Sequence, residues 1–230
     1  MDSSSPPHAA AKQTANQPLE IRDCGLADYR QILHLQQQLC EKRRQGEIPD
    51  TALIVEHPSV ITFGARQSRN KLLVNQQALQ QRKINLVRIR RGGGVTAHNP
   101  GQLVLYPILH LQQAGLGINE YIRELEAVGA ALLEQFGLNS SRREGSPGLW
   151  VGDRKIASIG VRVSRMTTYH GMAINIQNDL SIFELIIPCG LDGVEMTSVL
   201  KETGERHAMN DVKECLASVL RRRFSASMRQ

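Results

Sequence analysis

The sequence predicts a single α+β domain with a mixed, largely antiparallel sheet and flanking helices. The chain has 230 residues, 41% of them hydrophobic and 22% charged, a composition that suits a globular domain with a sizeable core. Strand-like and helix-like runs alternate irregularly along it, and short turns join several strands. Irregular mixing of this kind favours an α+β arrangement over a doubly wound parallel sheet.

Local composition predicts a disordered N-terminal tail and a cytoplasmic setting. Residues 1–18 are rich in Ser, Pro, Ala and Gln, which predicts a disordered N-terminal tail, and residues 19–230 are assigned to one folded domain. The first twenty residues lack the apolar segment of a signal peptide, and no run is apolar enough to span a bilayer. The four cysteines include no C-x-x-C pair, so we expect a reducing, cytoplasmic setting.

Individual elements follow from periodicity and turn residues. Asp28 predicts a helix cap, and Gly46 ends that helix. Asn119 and either Asn210 or Asp211 predict the caps of two later helices. Cys40 and Cys215 fall on the apolar sides of helices and are expected to pack in the core. A short polar helix is predicted at 75–83, and strands are predicted at 51–56, 60–63, 85–90, 102–106, 148–151, 155–165 and 171–177.

A glycine triplet between two of these strands is the most unusual local feature. Gly92, Gly93 and Gly94 follow Arg91, and the chain returns through a polar turn that contains His98. Consecutive glycines suit a backbone that bends sharply or lets another group come close, and a ligand is the obvious candidate. Neither a Walker loop nor a Rossmann fingerprint is present, because the spacing differs and the next element is a strand.

Cys189 stands in Pro-Cys-Gly at the end of an apolar segment, where an accessible thiol could act as a nucleophile or be an incidental loop residue. Only about 3% of a thiol with a pKa near 8.5 is ionised at pH 7, so a nucleophilic cysteine needs a cation nearby. The residues considered for that cation are Lys155, His98 and His170, each of which could instead be solvated or structural.

Four sequence blocks together resemble the lipoyl(octanoyl) transferase family. They are EHPSVITFG (56–64), RGGGVTAHNPGQLVLYPI (91–108), KIASIGVRV (155–163) with HGMAINI (170–176), and PCG (188–190). They occur in the family's order and cover most of residues 19–199. Two positions depart from the family's usual turn: Ala97 replaces a tyrosine and Asn99 replaces a glycine.

The resemblance implies a lipoate/biotin ligase-like catalytic fold and an acyltransferase that moves an octanoyl group through an acyl-cysteine thioester to a lysine amine. It makes Cys189 the nucleophile and Lys155 its partner. The segments that it assigns to acyl binding are Arg91, Gly92, Gly93, Gly94, Val95, Thr96, Ala97 and His98, then Ser158, Ile159 and Gly160, and finally Gly171, Met172 and Ala173.

The partners implied by the resemblance are octanoyl-acyl carrier protein and the apo lipoyl domains of 2-oxoacid dehydrogenase complexes and glycine cleavage H protein. No metal and no cofactor are expected, because the acyl group arrives on the phosphopantetheine of the carrier protein. We expect a monomer with no nucleic-acid or membrane partner. The net charge of +6 suits an acidic carrier protein.

The sequence leaves three other functions open. An ATP-dependent lipoate or biotin ligase of the same superfamily would keep the lysine and the glycine-rich segment but would need no nucleophilic cysteine. A basic nucleic-acid-binding module is disfavoured by the 4% aromatic content and by the lack of a known binding motif. An inactive scaffold with this fold is the third alternative.

Overall fold

The computed structural model describes residues 17–67, 71–187 and 193–227. The prediction for residues 1–16 of the tail and the prediction for Cys189 therefore lie outside the described residues. The described strands are β1 (Glu20–Leu26), β2 (Thr51–Glu56), β3 (Val60–Phe63), β4 (Asn85–Arg88), β5 (Thr96–His98), β6 (Gln102–Ile108), β7 (Gly148–Val151), β8 (Arg154–Ser164) and β9 (Thr167–Asn175). The helices are α1 (Tyr29–Gln45), α2 (Gln76–Gln81), α3 (Ile118–Glu134), α4 (Val199–Thr203) and α5 (Met209–Ser227), with a 3-10 helix at Leu180–Leu185.

The larger sheet has six strands in the order β1-β2-β6-β9-β8-β7. Only β1 and β2 are parallel, so the sheet is mixed and largely antiparallel, as the sequence predicts. Alternation along β6 sends Leu103 and Leu105 into the main core, with side chains of α3 and α5. Val104 and Tyr106 lie on the opposite face, in a core that includes Ile32 and Leu39 of α1. Helices therefore cover both faces of this sheet.

A smaller sheet, in the order β4-β3-β5, stands beside the larger one. Residues 57–59 carry the chain from β2 in the first sheet to β3 in the second, so these two strands are not partners. Ile61, Phe63, Val95 and Ala97 of this region form a separate core with the 3-10 helix. The glycine triplet lies between β4 and β5, and the N–H of Gly92 donates to the carbonyl of Val161 in β8 of the larger sheet at 2.9 Å.

The helix ends test the predicted caps. Asp28 caps α1, because its side chain accepts from the backbone N–H groups of Arg30 and Gln31, and Gly46 ends the helix in the left-handed region. The prediction for Asn119 is wrong: α3 begins at Ile118, after Gly117, which has no side chain to cap it. The prediction for Asn210 or Asp211 is also wrong, because α5 already begins at Met209.

Four described elements were not predicted, and each carries a weak sequence signal: β1, the three-residue β5, the 3-10 helix at Leu180–Leu185 and α4. Strand β1 pairs on one side only, with β2, and its half-exposed residues EIRDCGL lack an apolar alternation. Helix α4 has five residues, too few for a periodic pattern, and Ser198 caps it. Cys40 is buried as predicted, and Cys215 packs against the main core. Among the helices described, none is long and apolar enough to cross a membrane.

Candidate active site

The glycine triplet wraps around the side chain of the arginine that precedes it. The buried guanidinium of Arg91 donates from Nη1 to the carbonyls of Gly92 and Gly94, at 3.0 and 2.8 Å. Its Nη2 donates to the carbonyl and the hydroxyl of Thr62, at 3.1 and 2.8 Å. Gly93 has φ +83°, which a residue with a side chain rarely adopts. Arg91 thus holds the shape of the loop rather than presenting a free cation.

The predicted acyl-binding segments of β8 and β9 lie side by side. Antiparallel pairing places Ser158 opposite Ala173 and Ile159 opposite Met172, and it sets Gly160 opposite Gly171. A Cβ at Gly160 would lie 2.9 Å from Cδ of Arg91, and one at Gly171 would lie 2.1 Å from the carbonyl oxygen of Leu105. These two glycines are needed for close packing of the strands and of the triplet loop.

A narrow cavity lies where these segments meet the loop of residues 91–98. It encloses about 30 Å³, which is room for about two water molecules. Most of the predicted acyl-binding residues line it, namely Arg91, Gly93, Thr96, His98, Ser158, Ile159, Gly160, Gly171, Met172 and Ala173. Gly92 instead borders a neighbouring groove, Gly94 bonds to Arg91, and Val95 and Ala97 pack into the second core.

Aromatic side chains outside the predicted acyl-binding segments complete the cavity wall. Tyr29 and Tyr106 line it, and His57 lies behind them. Nδ1 of His57 is 2.8 Å from the carbonyl oxygen of Ala27, which can only accept, so Nδ1 carries the proton. Nε2 then accepts from the Tyr106 hydroxyl at 2.9 Å. His57 belongs to the EHPSV block, which is the signal that could have pointed to it.

His98 belongs to a buried polar network rather than acting as a cation. Its Nδ1 donates to Oε1 of Gln102 at 2.7 Å, and Nε2 of Gln102 donates to Oδ1 of Asn175 at 2.8 Å. Nδ2 of Asn175 donates to the carbonyl of Thr197 at 2.9 Å. Burial, with further contributions that include the neighbouring His57, lowers the pKa of His98 to about 3. Of the two roles left open for His98, these contacts favour that of a structural, hydrogen-bonded histidine.

His170 is likewise neutral, and its backbone is strained. It has φ +57°, and its N–H donates to Oε1 of the buried Gln36 at 2.7 Å. Burial, and then the positive charge of Arg91, lower the pKa of His170 to about 3. Of the residues considered as cations for the thiolate, neither His98 nor His170 fits that role.

Lys155 lines a wider groove of about 550 Å³, within the ~300–1,000 Å³ that small-molecule sites occupy. The lysine side chain is buried, with Nζ 3.4 Å from the Ser146 hydroxyl and 5.3 Å from the centroid of the Trp150 ring. The groove and the narrow cavity share three lining residues, which are Gly93, Ile159 and Gly160. The two spaces therefore lie next to each other at these residues.

The backbone of Lys155 is joined to the segment that follows residue 192. Its N–H donates to the carbonyl of Glu195 at 2.8 Å, and its carbonyl accepts from the N–H of Thr197 at 2.9 Å. On the other side of residues 188–192, the N–H of Ile187 donates to the carbonyl of Lys71 at 3.0 Å. Both flanks of the Pro-Cys-Gly segment are thus tied to strands or loops of the described fold.

The three described cysteines are poor nucleophiles. Burial raises the pKa of Cys40 to about 12, and its Sγ donates to the carbonyl of Thr168. Burial also raises the pKa of Cys24 and of Cys215. Within residues 17–67, 71–187 and 193–227, no cluster of three His, Cys, Asp or Glu side chains is arranged to hold a metal ion.

Comparison with known proteins gives a family for this architecture. The model of the lipoyl protein ligase A/B catalytic domain matches residues 28–221. An octanoyltransferase of Syntrophobacter fumaroxidans is 42% identical over 204 residues, which are 89% of this chain and 90% of that protein.

Solved structures with this fold share little sequence with the chain. A lipoate-protein ligase A bound with ATP superposes with a TM-score of 0.68 at 14% identity and covers 91% of this chain and 84% of its own. A bi-partite lipoate protein ligase from Thermoplasma acidophilum, studied with its E2 lipoyl domain, superposes with a TM-score of 0.63 at 16% identity. This match covers 91% of this chain and 84% of that chain. These similarities confirm the predicted lipoate ligase-like α+β fold.

Proposed function

This chain belongs to the octanoyltransferase family and is an acyltransferase, and we propose that it transfers an octanoyl group from octanoyl-acyl carrier protein to a lysine of apo lipoyl domains. The observation that carries the proposal is the position of Lys155. A buried lysine lines a groove that is adjacent to a cavity lined by the predicted acyl-binding segments. A lysine in such a place suits acid–base work beside an acyl thioester.

Cys189 is the proposed nucleophile. It is separated by six positions from Glu195, whose carbonyl accepts from the N–H of Lys155, so the chain ties the two residues to one region. The raised pKa values of the described cysteines also favour Cys189 over them for this role. A positive charge on Lys155 would stabilise the thiolate, since lowering the pKa of a thiol by one unit is worth about 1.4 kcal/mol.

The proposed reaction has two steps. The Cys189 thiolate attacks the thioester carbonyl, a new carbon–sulfur bond forms, and the pantetheine thiolate leaves and takes up the proton of Lys155, which leaves the lysine neutral. The amine of the lipoyl-domain lysine then attacks the acyl-cysteine, an amide forms, and Cys189 leaves as a thiolate. Lys155 in its neutral form takes the proton that the attacking amine loses. The first step exchanges one thioester for another, so neither ATP nor a cofactor is required.

The acyl chain is proposed to pass from the groove into the narrow cavity across Gly93, Ile159 and Gly160. Because that cavity encloses only about 30 Å³, an eight-carbon chain enters only if lining side chains move apart. The protein is proposed to act as a monomer in the cytoplasm, and its lipoyl-domain acceptors include those of 2-oxoacid dehydrogenase complexes and glycine cleavage H protein.

The test compares two acyl sources with one acceptor. We expect the purified chain to octanoylate an apo lipoyl domain when octanoyl-acyl carrier protein is supplied without ATP. Free octanoate with ATP and Mg²⁺ should give no product above the rate without enzyme. Product formed only from octanoate and ATP would contradict the transferase proposal and establish the ligase alternative.

A further inference from the structure

Arginines from three separate elements border the groove that leads to Lys155. Arg66 follows β3, Arg123 lies on α3, and Arg143 precedes β7. Together with Lys155 they give the groove four basic side chains, against one carboxylate, Glu126. Surface charge of one sign that is concentrated in a concave site attracts a ligand of the opposite sign.

The structure holds two of these arginines in defined positions. Nη1 of Arg123 donates to Oε2 of Glu126 at 2.8 Å, and the buried Glu126 also accepts from the N–H of Gly148. The guanidinium carbon of Arg143 lies 4.1 Å from the centroid of the Trp150 ring, and its Nη2 bonds to Asp153. These contacts position the two arginines while leaving further N–H donors on each guanidinium, which carries five.

Neither arginine is buried by these contacts. The side chain of Arg123 is 55% exposed and that of Arg143 is 38% exposed, whereas Glu126 is 1% exposed. A ligand that enters the groove therefore meets the guanidinium groups before it meets the carboxylate. Because guanidinium groups match phosphate oxygens in geometry and charge, the arrangement suits a phosphate better than a diffuse acidic surface.

We propose that Arg123 and Arg143 bind the phosphate of the phosphopantetheine arm that carries the acyl group. This inference rests on the proposed function. It assigns the phosphate, the arm and the thioester of the donor to successive positions along the groove. The phosphate stays at the border of the groove, the extended arm follows the groove inward, and the thioester reaches Lys155. Arg66, in the loop after β3, adds positive charge to the same groove.

A binding experiment tests the phosphate site without relying on catalysis. Titration calorimetry would compare 4′-phosphopantetheine with pantetheine, which lacks the phosphate, on the wild-type chain and on Arg123→Gln and Arg143→Gln. The wild type should bind the phosphorylated compound roughly ten-fold more tightly or better, since hydrogen bonds to charged groups contribute that much. Each substitution should reduce this preference, and added salt should reduce it as well.

Arg22→Gln is the matched control. Arg22 is also partly exposed and paired with a carboxylate, Glu20, but it lies on β1, at the edge of the sheet opposite β7. This variant should keep the full preference for the phosphorylated compound. Equal affinity of the wild type for the two compounds would overturn the proposal, and so would an equal effect of Arg22→Gln.

A kinetic experiment separates this proposal from the proposed function. Octanoyl-phosphopantetheine, octanoyl-pantetheine and octanoyl-acyl carrier protein would be compared as donors to a lipoyl domain. Arg123→Gln and Arg143→Gln should raise KM about ten-fold for the two donors that carry the phosphate and leave it unchanged for octanoyl-pantetheine. If the substitutions weaken only the intact carrier protein, the arginines recognise an acidic protein surface and the phosphate assignment is wrong. If no thioester serves the wild type, the transferase proposal fails while the calorimetry still decides the phosphate site.

Discussion

Gly148 lies so close to Lys155 that a Cβ at position 148 would be 2.9 Å from Cε of the lysine. The same Cβ would be 2.2 Å from the carbonyl oxygen of Ala157, and Gly148 has φ +135°. The absence of a side chain at position 148 therefore lets the Lys155 side chain lie along β7 toward Trp150 and Ser146. This contact shows how strand β7 sets the position of the proposed acid–base group.

Gly148→Ala tests that relationship. We expect loss of most transferase activity, because the new methyl group displaces Lys155. We also expect the free energy of unfolding to fall by about 1–3 kcal/mol, because the backbone at position 148 becomes strained. Transfer rate and urea unfolding would both be measured. Gly152→Ala is the control, since Gly152 also has positive φ but has nothing within 4 Å of an added Cβ. Wild-type activity in Gly148→Ala would contradict the assignment.

Arg91→Met tests the structural role of the buried arginine. The substitution removes the guanidinium donor from the carbonyls of Gly92, Gly94 and Thr62, of which Gly94 keeps the N–H of Gly64, so we expect the free energy of unfolding to fall by about 3 kcal/mol. Arg91→Lys should restore only part of this, because an ammonium cannot reproduce the fork of a guanidinium. The exposed Arg90→Met provides the comparison in denaturant unfolding. A change below about 1 kcal/mol for Arg91→Met would show that the loop keeps its shape unaided.

The buried histidines predict how stability depends on pH. Burial lowers the pKa of His57 to about 4 and those of His98 and His170 to about 3, whereas an unfolded imidazole titrates near pH 6.5. Below pH 6.5 the unfolded state therefore binds more protons than the folded state. Their stabilising contribution is complete above that pH and is lost as the pH falls toward 4, by up to about 1.4 kcal/mol per pH unit for each histidine.

Urea unfolding between pH 7 and pH 5 measures this slope. His98→Gln should reduce it, and the exposed His34→Gln should leave it unchanged. Stability that stays constant or rises as the pH falls from 6.5 to 5 would contradict the burial of neutral rings.

Asn175→Ala tests the network that joins His98 to the strand of Lys155. Asn175 accepts from Gln102 and donates to the carbonyl of Thr197, and the N–H of Thr197 donates to the carbonyl of Lys155. We expect the free energy of unfolding to fall by about 1–3 kcal/mol, because buried groups of Gln102, Asn178 and Thr197 each lose a partner. We also expect a fall in kcat larger than the change in KM. The exposed Asn139→Ala should match the wild type in both measurements. Unchanged kcat in Asn175→Ala would separate this network from catalysis.

Much of the fold could be predicted from the sequence, because its signals are local. Apolar alternation and turn residues place most strands of the larger sheet, and Asp28 and Gly46 mark both ends of α1. The half-exposed β1 and the five-residue α4 lack such signals. The separation of β2 from β3 into two sheets depends on long-range pairing that residues 57–59 do not specify.

The sequence predicts which segments form the site, but the contacts of the individual side chains are visible only in the structure. The sequence blocks identify Ser158 to Gly160 and Gly171 to Ala173, and strand register then makes them neighbours. The resemblance assigns Arg91 and His98 to acyl binding, and the structure shows that both side chains also have hydrogen-bond partners within the protein. Arg123 and Arg143 belong to no motif, so only the packing of α3 beside β7 and β8 brings them to the groove.

Intact-protein mass spectrometry after mixing the chain with octanoyl-acyl carrier protein tests the central claim most directly. The account predicts an octanoyl adduct on the wild type that hydroxylamine removes, that is absent in Cys189→Ser and that forms more slowly in Lys155→Ala. An intact donor that leaves no adduct on the wild type, or an adduct that persists in Cys189→Ser, would contradict the acyl-cysteine route.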